Sequence, residues 1–559
     1  MKLRLTITGL VFLLLTNVLN AQIKLPSLLS DNMVLQRNTE VKLWGWASPG
    51  EEIKVSGDWL DNIIPVTAGQ DSLWMVKIPT GEAGGPHMIT LMASNKIELK
   101  NILFGEVWIC SGQSNMEFSI KRLGGWDHDQ FAKDKKNLSG SDYSHVRLFL
   151  LKKNTSDRPL NDCEGNWELP ELENVENFSA IAWFFGTDIF MSLGVPVGLI
   201  STNWGGTPAE AWTSESTLAN NPDLWYYSPE HLGKRAPDDT PSMLFNAMIH
   251  PVLNYSIRGA IWYQGESNRN DAIHYRKLFP AMIGDWRKAF DQGDFPFYYV
   301  QIAPYNYNEK MRGALLKEAQ LMALDVPNTG MVVTSDIGNI NNIHPINKQE
   351  VGRRLALNAL ALSYGEDYID YSGPVYKAMK VRDGDEGKEV ILEFDYAESG
   401  LNIKGKEATC FKIAGNDRLF VNASAWIENN NIVVFSPEIK DPVAVRFGFT
   451  NTDEPNLFNG AGLPAGPFRT DDWFINTLLV KIEVEPLKKQ GSYKVMLSSS
   501  DPSAVIRYTL GGENPQLISR KYKKPFKVKG TTVIKAGSFI DDLASVNIAE
   551  HKILLKLKD

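Results

Sequence analysis

Cysteine is scarce: Cys110, Cys163 and Cys410 are the only three in 559 residues. So few cannot build a disulfide framework, and an odd number leaves at least one thiol free. Histidine is also sparse, with eight residues scattered along the chain and none grouped with cysteine at metal-ligand spacing. Nothing in the sequence therefore calls for a metal or another cofactor. Positive charge is not in excess. The formal net charge of -8 offers no electrostatic reason to bind nucleic acid or an anionic membrane. Beyond the first 21 residues there is no apolar run long enough for a membrane helix. Residues 1–21 carry Lys2 and Arg4, an apolar stretch from Leu10 to Leu15, and small Ala21 before Gln22. This is the pattern of a secretory signal peptide, so the mature chain is expected to be exported, periplasmic or extracellular.

What the sequence has in quantity is length and tryptophan. At 559 residues it exceeds what one hydrophobic core supports, so several domains are expected. The 15 tryptophans mostly belong in cores, although flat indole faces also stack on sugar rings. Residues 22–103 show short runs of period two, such as VKLWGWA and LWMVKIP, broken by SPGE and AGGP. They read as a small antiparallel β domain. Residues 104–365 differ. Compact apolar strands (EVWIC, VPVGLIS, RGAIWYQG, FPFYYVQIA, GMVVTSDIG) alternate with helical patterns (FSAIAWFFGTDIFMSLG, YRKLFPAMIGDWRKAF, NKQEVGRRLALNALALSYG). Buried strands alternating with helices predict an α/β domain with a parallel sheet covered on both faces. Residues 366–474 and 475–559 return to β-type patterns and read as two further β domains.

In a parallel sheet of this kind, reactive groups gather at the carboxyl ends of the strands. Four loops are expected there. EVWIC runs into SGQSNMEF, which offers Ser114 as a nucleophile whose own amide can help hold an oxyanion. The second loop, STNWGGTPAEAW, contains Gly205 and Gly206, which can present amides without a side chain in the way. The third, WYQGESN, contains Gln264, Glu266 and Asn268. The fourth, DIGNINNIHPINKQE, places His344 just ahead of a long helical pattern. Serine attack on an ester needs a base, amides for the tetrahedral oxyanion and usually an acid to orient the base. These parts occur in the order Ser, Gly, Gln/Asn, His.

The motifs GEVWICSGQSNMEFSI, GVPVGLISTNWGGTPAEAWTS, IWYQGESN, DIGNINNIHPINKQEVGRRLAL and NLFNGAGLPAGPFRTDDW resemble the sialate O-acetylesterase family of the SGNH hydrolases. The resemblance runs from about Ile23 to Trp473. It implies a flavodoxin-like three-layer α/β domain with a parallel sheet, flanked by β-sandwich-like domains. It also implies an esterase that removes O-acetyl groups from sialic acid through an acetyl-enzyme, with an O-acetylated glycan as its partner. An acetylxylan esterase is the alternative substrate reading. A non-catalytic carbohydrate-binding protein on the same scaffold is the competing one.

Carried over, Ser114 is the nucleophile and His344 the base. The Ser114 amide, an amide of Gly205 or Gly206 and the Gln264 side chain form the oxyanion hole. The family pattern places an acid shortly before the histidine, where this chain has Asn342. The third member therefore stays open between Asn342, Asp336, Glu266, a backbone carbonyl and none, with Asn268 a further support. The tail, from AVIRYTLGGENP to TTVIKAGSF, resembles the small β domain at the end of chitobiase and hexosaminidase-type proteins and implies an accessory module.

Overall fold

The end of the expected N-terminal β domain and the apolar run EVWIC merge into a single strand of 17 residues, Lys96–Gly112. Its first half mixes exposed, half-buried and buried positions and pairs with the antiparallel strand Gly84–Met92. Its second half is buried throughout and pairs in parallel on both sides. In the computed structural model, which describes residues 22–123, 143–489, 491–501, 503–540 and 543–554, this strand is the spine of a mixed eleven-stranded sheet. The expected division at residues 103/104 thus falls inside a continuous strand. The expected signal peptide lies outside the described residues.

We number the strands that carry the site β1 (Val34–Gln36), β2 (Lys96–Gly112), β3 (Val146–Leu150), β4 (Val197–Asn203), β5 (Gly259–Tyr263), β6 (Phe297–Val300) and β7 (Thr329–Val332). The helices are α1 (Ser114–Glu117), α2 (Ala180–Leu193), α3 (Ala272–Phe290), α4 (Arg312–Met322) and α5 (Lys348–Tyr364). Strands β3-β4-β2-β5-β6-β7 lie side by side in that order, all parallel. The chain leaves β2 toward β3 and β4 and then returns to its other side at β5. The order therefore reverses around β2, the place where open α/β sheets hold their ligands.

Strand alternation sorts the core into two layers. Trp108 and Cys110 of β2 pack with α2 and α5 on one face, whereas Val107 and Ile109 pack into the core that holds α3 and α4 on the other. Helix ends follow local chemistry. Ser179 caps α2 by accepting from the Ala182 amide at 3.2 Å, and left-handed Gly194 ends it. Asn347 caps α5 in the same way and Gly365 closes it. Strand β3 and helix α4 were not among the sequence patterns. In β3 the five-residue run VRLFL is interrupted by Arg147, which is buried and breaks the apolar signal.

Residues 375–469 form two antiparallel four-stranded sheets and a two-stranded one around a separate core that includes Val390, Leu392, Phe411, Val434 and Phe447. Residues 481–553 form a three-stranded and a five-stranded sheet around Val495, Ile534 and Ala536. The molecule is thus a mixed α/β structure with additional β-rich units. Among the described residues no helix is long and apolar enough to cross a membrane.

Candidate active site

Strand β2 ends at Gly112, whose φ of +142° lets the chain turn sharply toward the single helical turn α1. A Cβ at that position would lie 2.2 Å from the Tyr263 carbonyl oxygen of β5, so only glycine fits between the strands. The turn lifts half-buried Ser114 to the carboxyl edge of the sheet, at the first position of α1. The next strand ends bring the other loops to it. Gly205, after β4, lies so close that a Cβ there would come within 3.1 Å of Ser114 Cβ. From β5, the Gly265 and Ser267 amides each donate to Gln113 Oε1 at 3.3 Å.

His344 arrives from the loop after β7. Its Nε2 lies 2.8 Å from Ser114 Oγ, across 230 residues of sequence. The ring is half-buried and tilted against Phe118, with centroids 6.4 Å apart. Burial lowers its pKa from the ordinary histidine value, and the Lys348 and Arg122 cations lower it further, opposed by the Glu117 carboxylate. Neutral imidazole is thereby favoured, the form that can accept the serine proton.

The residues considered for the acid position are engaged elsewhere. Asp336 takes both ends of the Arg354 guanidinium at 2.8 Å. Asn342 Oδ1 accepts from the backbone amide of His344 at 3.0 Å, which shapes the loop and leaves the imidazole aside. Glu266 Oε1 accepts from Asn115 Nδ2 at 2.6 Å. Among the described residues, Ser114 is the one hydrogen-bond partner of the His344 ring.

Gln264 is fully buried and turned into the protein. Its Nε2 donates to Asn268 Oδ1 at 2.7 Å and to the Thr207 carbonyl at 3.2 Å, while Tyr275 donates to its Oε1. Asn268 also accepts from the Ala209 amide and donates to Glu210, which pairs with Arg235. Ser267 Oγ donates to the Gly206 carbonyl at 2.7 Å. Gln264 and Asn268 therefore tie the Trp-Gly-Gly loop to the Gln-Gly-Glu loop. The Gly205 amide donates to Glu117 Oε2 at 2.5 Å, and Glu117 Oε1 pairs with Lys153 at 2.6 Å.

Sequence reasoning passed over Asn115 and Lys348. Lys348 Nζ donates to Asn115 Oδ1 at 2.5 Å, and Asn115 Nδ2 also donates to the Ile343 carbonyl at 3.0 Å, beside His344. Burial pushes the Glu266 carboxyl up and the Lys348 ammonium down to about 7, each offset in part by the other. A signal existed: Lys348 stands at helical spacing from buried Val351, Gly352, Leu355 and Ala359, so it lies on the apolar stripe of α5. Among the described residues no group of three or more His, Cys, Asp or Glu could hold a metal ion.

The whole catalytic region, residues 104–361, matches the family model described as carbohydrate esterase, sialic acid-specific acetylesterase. The chain is 32% identical to a sialate O-acetylesterase from Pongo abelii over 432 residues, covering 70% of this chain and 80% of that one. It is 30% identical to the Rattus norvegicus sialate O-acetylesterase over 455 residues, covering 70% of this chain and 82% of that protein.

The chain belongs to the sialate O-acetylesterase family.

The crystal structure of a carbohydrate acetylesterase from Xanthomonas citri superposes with a TM-score of 0.72 at 35% identity, covering 81% of this chain and all of that one. Residues 488–548 match the chitobiase/beta-hexosaminidase C-terminal domain. The protein is a serine carboxylic-ester hydrolase that acts on O-acetylated carbohydrate. This sets aside the binding-protein reading.

Proposed function

We propose that this esterase hydrolyses O-acetyl groups of sialic acid through an acetyl-enzyme on Ser114. The observation that carries the mechanism is the 2.8 Å approach of His344 Nε2 to Ser114 Oγ. Neutral His344 takes the hydroxyl proton as Ser114 attacks the acetyl carbonyl. The Ser114 amide and an amide of the Trp-Gly-Gly turn stabilise the oxyanion. His344 then protonates the departing sugar oxygen, and a water activated by the same imidazole releases acetate. We assign Ser114 and His344 as a dyad and give Gln264, Asn268, Asn115 and Glu266 the task of holding the loops. Gly206 is the better amide donor in this arrangement, because the Gly205 N–H is taken by Glu117.

An acidic sugar is favoured by the names of the relatives and by charge. Arg122, exposed and stacked 4.3 Å above the Phe118 ring, puts a cation beside His344 where a sialate carboxylate would find it. Acetylated xylan carries no such carboxylate on its backbone. We further propose the flavodoxin-like arrangement for residues 104–365, β-sandwich-like flanking domains, and export directed by residues 1–21.

The test is acetate release from O-acetylated sialoglycan and from acetylated xylan by wild type and Ser114→Ala. Release from the sialoglycan, reduced on the order of a thousandfold or more in the variant, is expected. Normal turnover by Ser114→Ala would refute the nucleophile, and release from xylan alone would refute the sugar.

A further inference from the structure

Residues 304–311, in the connection from β6 to α4, run between the third and fourth catalytic loops. They touch both. The Asn306 amide donates to the Ile340 carbonyl at 2.9 Å, four residues before His344. Tyr307 carries the Arg269 guanidinium 5.0 Å from its ring centre, and Arg269 in turn donates to the Glu266 carbonyl at 2.8 Å. Met311 ends the segment with φ of +69°, a conformation a side chain rarely adopts without support.

That support comes from outside the central sheet. Asn451, from the β unit of residues 375–469, accepts from the Gly313 amide at 2.9 Å and donates to the Glu309 carbonyl at 2.7 Å. Asn547, from the terminal unit of residues 481–553, accepts from the Lys310 amide at 2.6 Å. Asn547 is only 4% exposed. Its Nδ2 is anchored on the Thr477 carbonyl at 2.8 Å and reaches the Lys310 carbonyl at 3.4 Å. A side-chain amide that reads both the N–H and the C=O of one residue holds the two peptide groups that flank it in position and direction.

We infer that the terminal β unit is a brace for the active site, with Asn547 as the positioning residue that holds the 304–311 segment and, through it, the His344 loop. The inference rests on the Ser114–His344 reading for its effect on rate, but the contact itself does not. Asn547 touches no reacting atom, so its loss acts through geometry. A displacement of about 1 Å at a catalytic group costs up to a hundredfold in rate.

The full-length chain is assayed with 4-nitrophenyl acetate, which reports chemistry at Ser114 whichever sugar is preferred. Asn547→Ala is expected to lower kcat roughly tenfold and leave KM within about twofold. Asn547→Asp keeps an acceptor for the Lys310 amide but turns a buried carboxylate oxygen onto the Thr477 carbonyl, and should recover little of that loss. In wild type, hydrogen exchange at the Lys310 amide should be slow and should follow the opening of residues 481–553. Free exchange at Lys310, or a kcat for a folded Asn547→Ala equal to wild type, overturns the inference. If Asn547→Ala does not fold, the exchange result decides alone. Undiminished activity of Ser114→Ala would remove the nucleophile reading and leave the brace to be judged by exchange.

Discussion

At the scale of single residues, the proposed mechanism turns on the protonation of His344. Burial and two cations hold its pKa below the ordinary value of 6.5. A base must be neutral to accept the serine proton, so activity is lost as pH falls through this lowered pKa. The acid limb of kcat/KM should therefore lie below pH 6.5. Arg122→Met removes one of the cations that disfavour imidazolium, which raises the His344 pKa and moves the acid limb upward. Because Arg122 is exposed, the shift should be small and should shrink at high salt. A limb that stayed in place at low ionic strength would mean that Arg122 exerts no field at the base. The same residue scale shows where sequence reading stopped. Ser114 and His344 could be named from the motifs, because each follows a strand end. The acid position could not be named. Asp336 is spoken for by Arg354, eighteen positions on, and Glu266 by Asn115, a partner 151 residues away.

At the scale of elements, the site depends on how sharply β2 hands the chain to α1. Gly112 has two constraints at once: a positive φ and a neighbouring carbonyl 2.2 Å from where a Cβ would sit. The neighbour is backbone of β5 and cannot swing aside. Gly112→Ala should therefore cost about 3 kcal/mol or more of stability, read as a lower denaturant midpoint. Its activity should fall as well, since Ser114 is displaced relative to His344. The existence of β2, β4, β5, β6 and β7 was legible as apolar runs, and so were α2, α3 and α5 from their periodicity. The length of β2 was not. The exposed positions of its first half, such as Lys96 and Lys100, make it look like a hairpin of a separate domain, and only the pairing partners reveal one continuous strand. Helix α4 was hidden for the opposite reason. Lys317 and Gln320 are buried on it, so its inner face does not look apolar.

At the scale of the molecule, the β units are not appended to the α/β body by linkers alone. Arg469, from residues 375–469, pairs with Glu318 of α4 at 2.6 Å and with Asp471 at 3.2 Å, its side chain 6% exposed. Arg276 of α3 shares Glu318, and Arg446 shares Asp471 at 2.8 Å. No sequence pattern could announce an ion pair between residues 151 positions apart. Such a buried network gains little over an apolar one, yet it is costly to break at a single point, because carboxylates are left without their partner. Here each carboxylate keeps a second arginine. Arg469→Met should then destabilise by about 2 kcal/mol, less than the cost of stranding a buried charge outright. If α4 and the β unit share their fate, thermal unfolding of the variant stays a single transition at a lower midpoint. A new, separate low-temperature transition would mean instead that the β unit unfolds on its own and that this network is its main tether to the catalytic body.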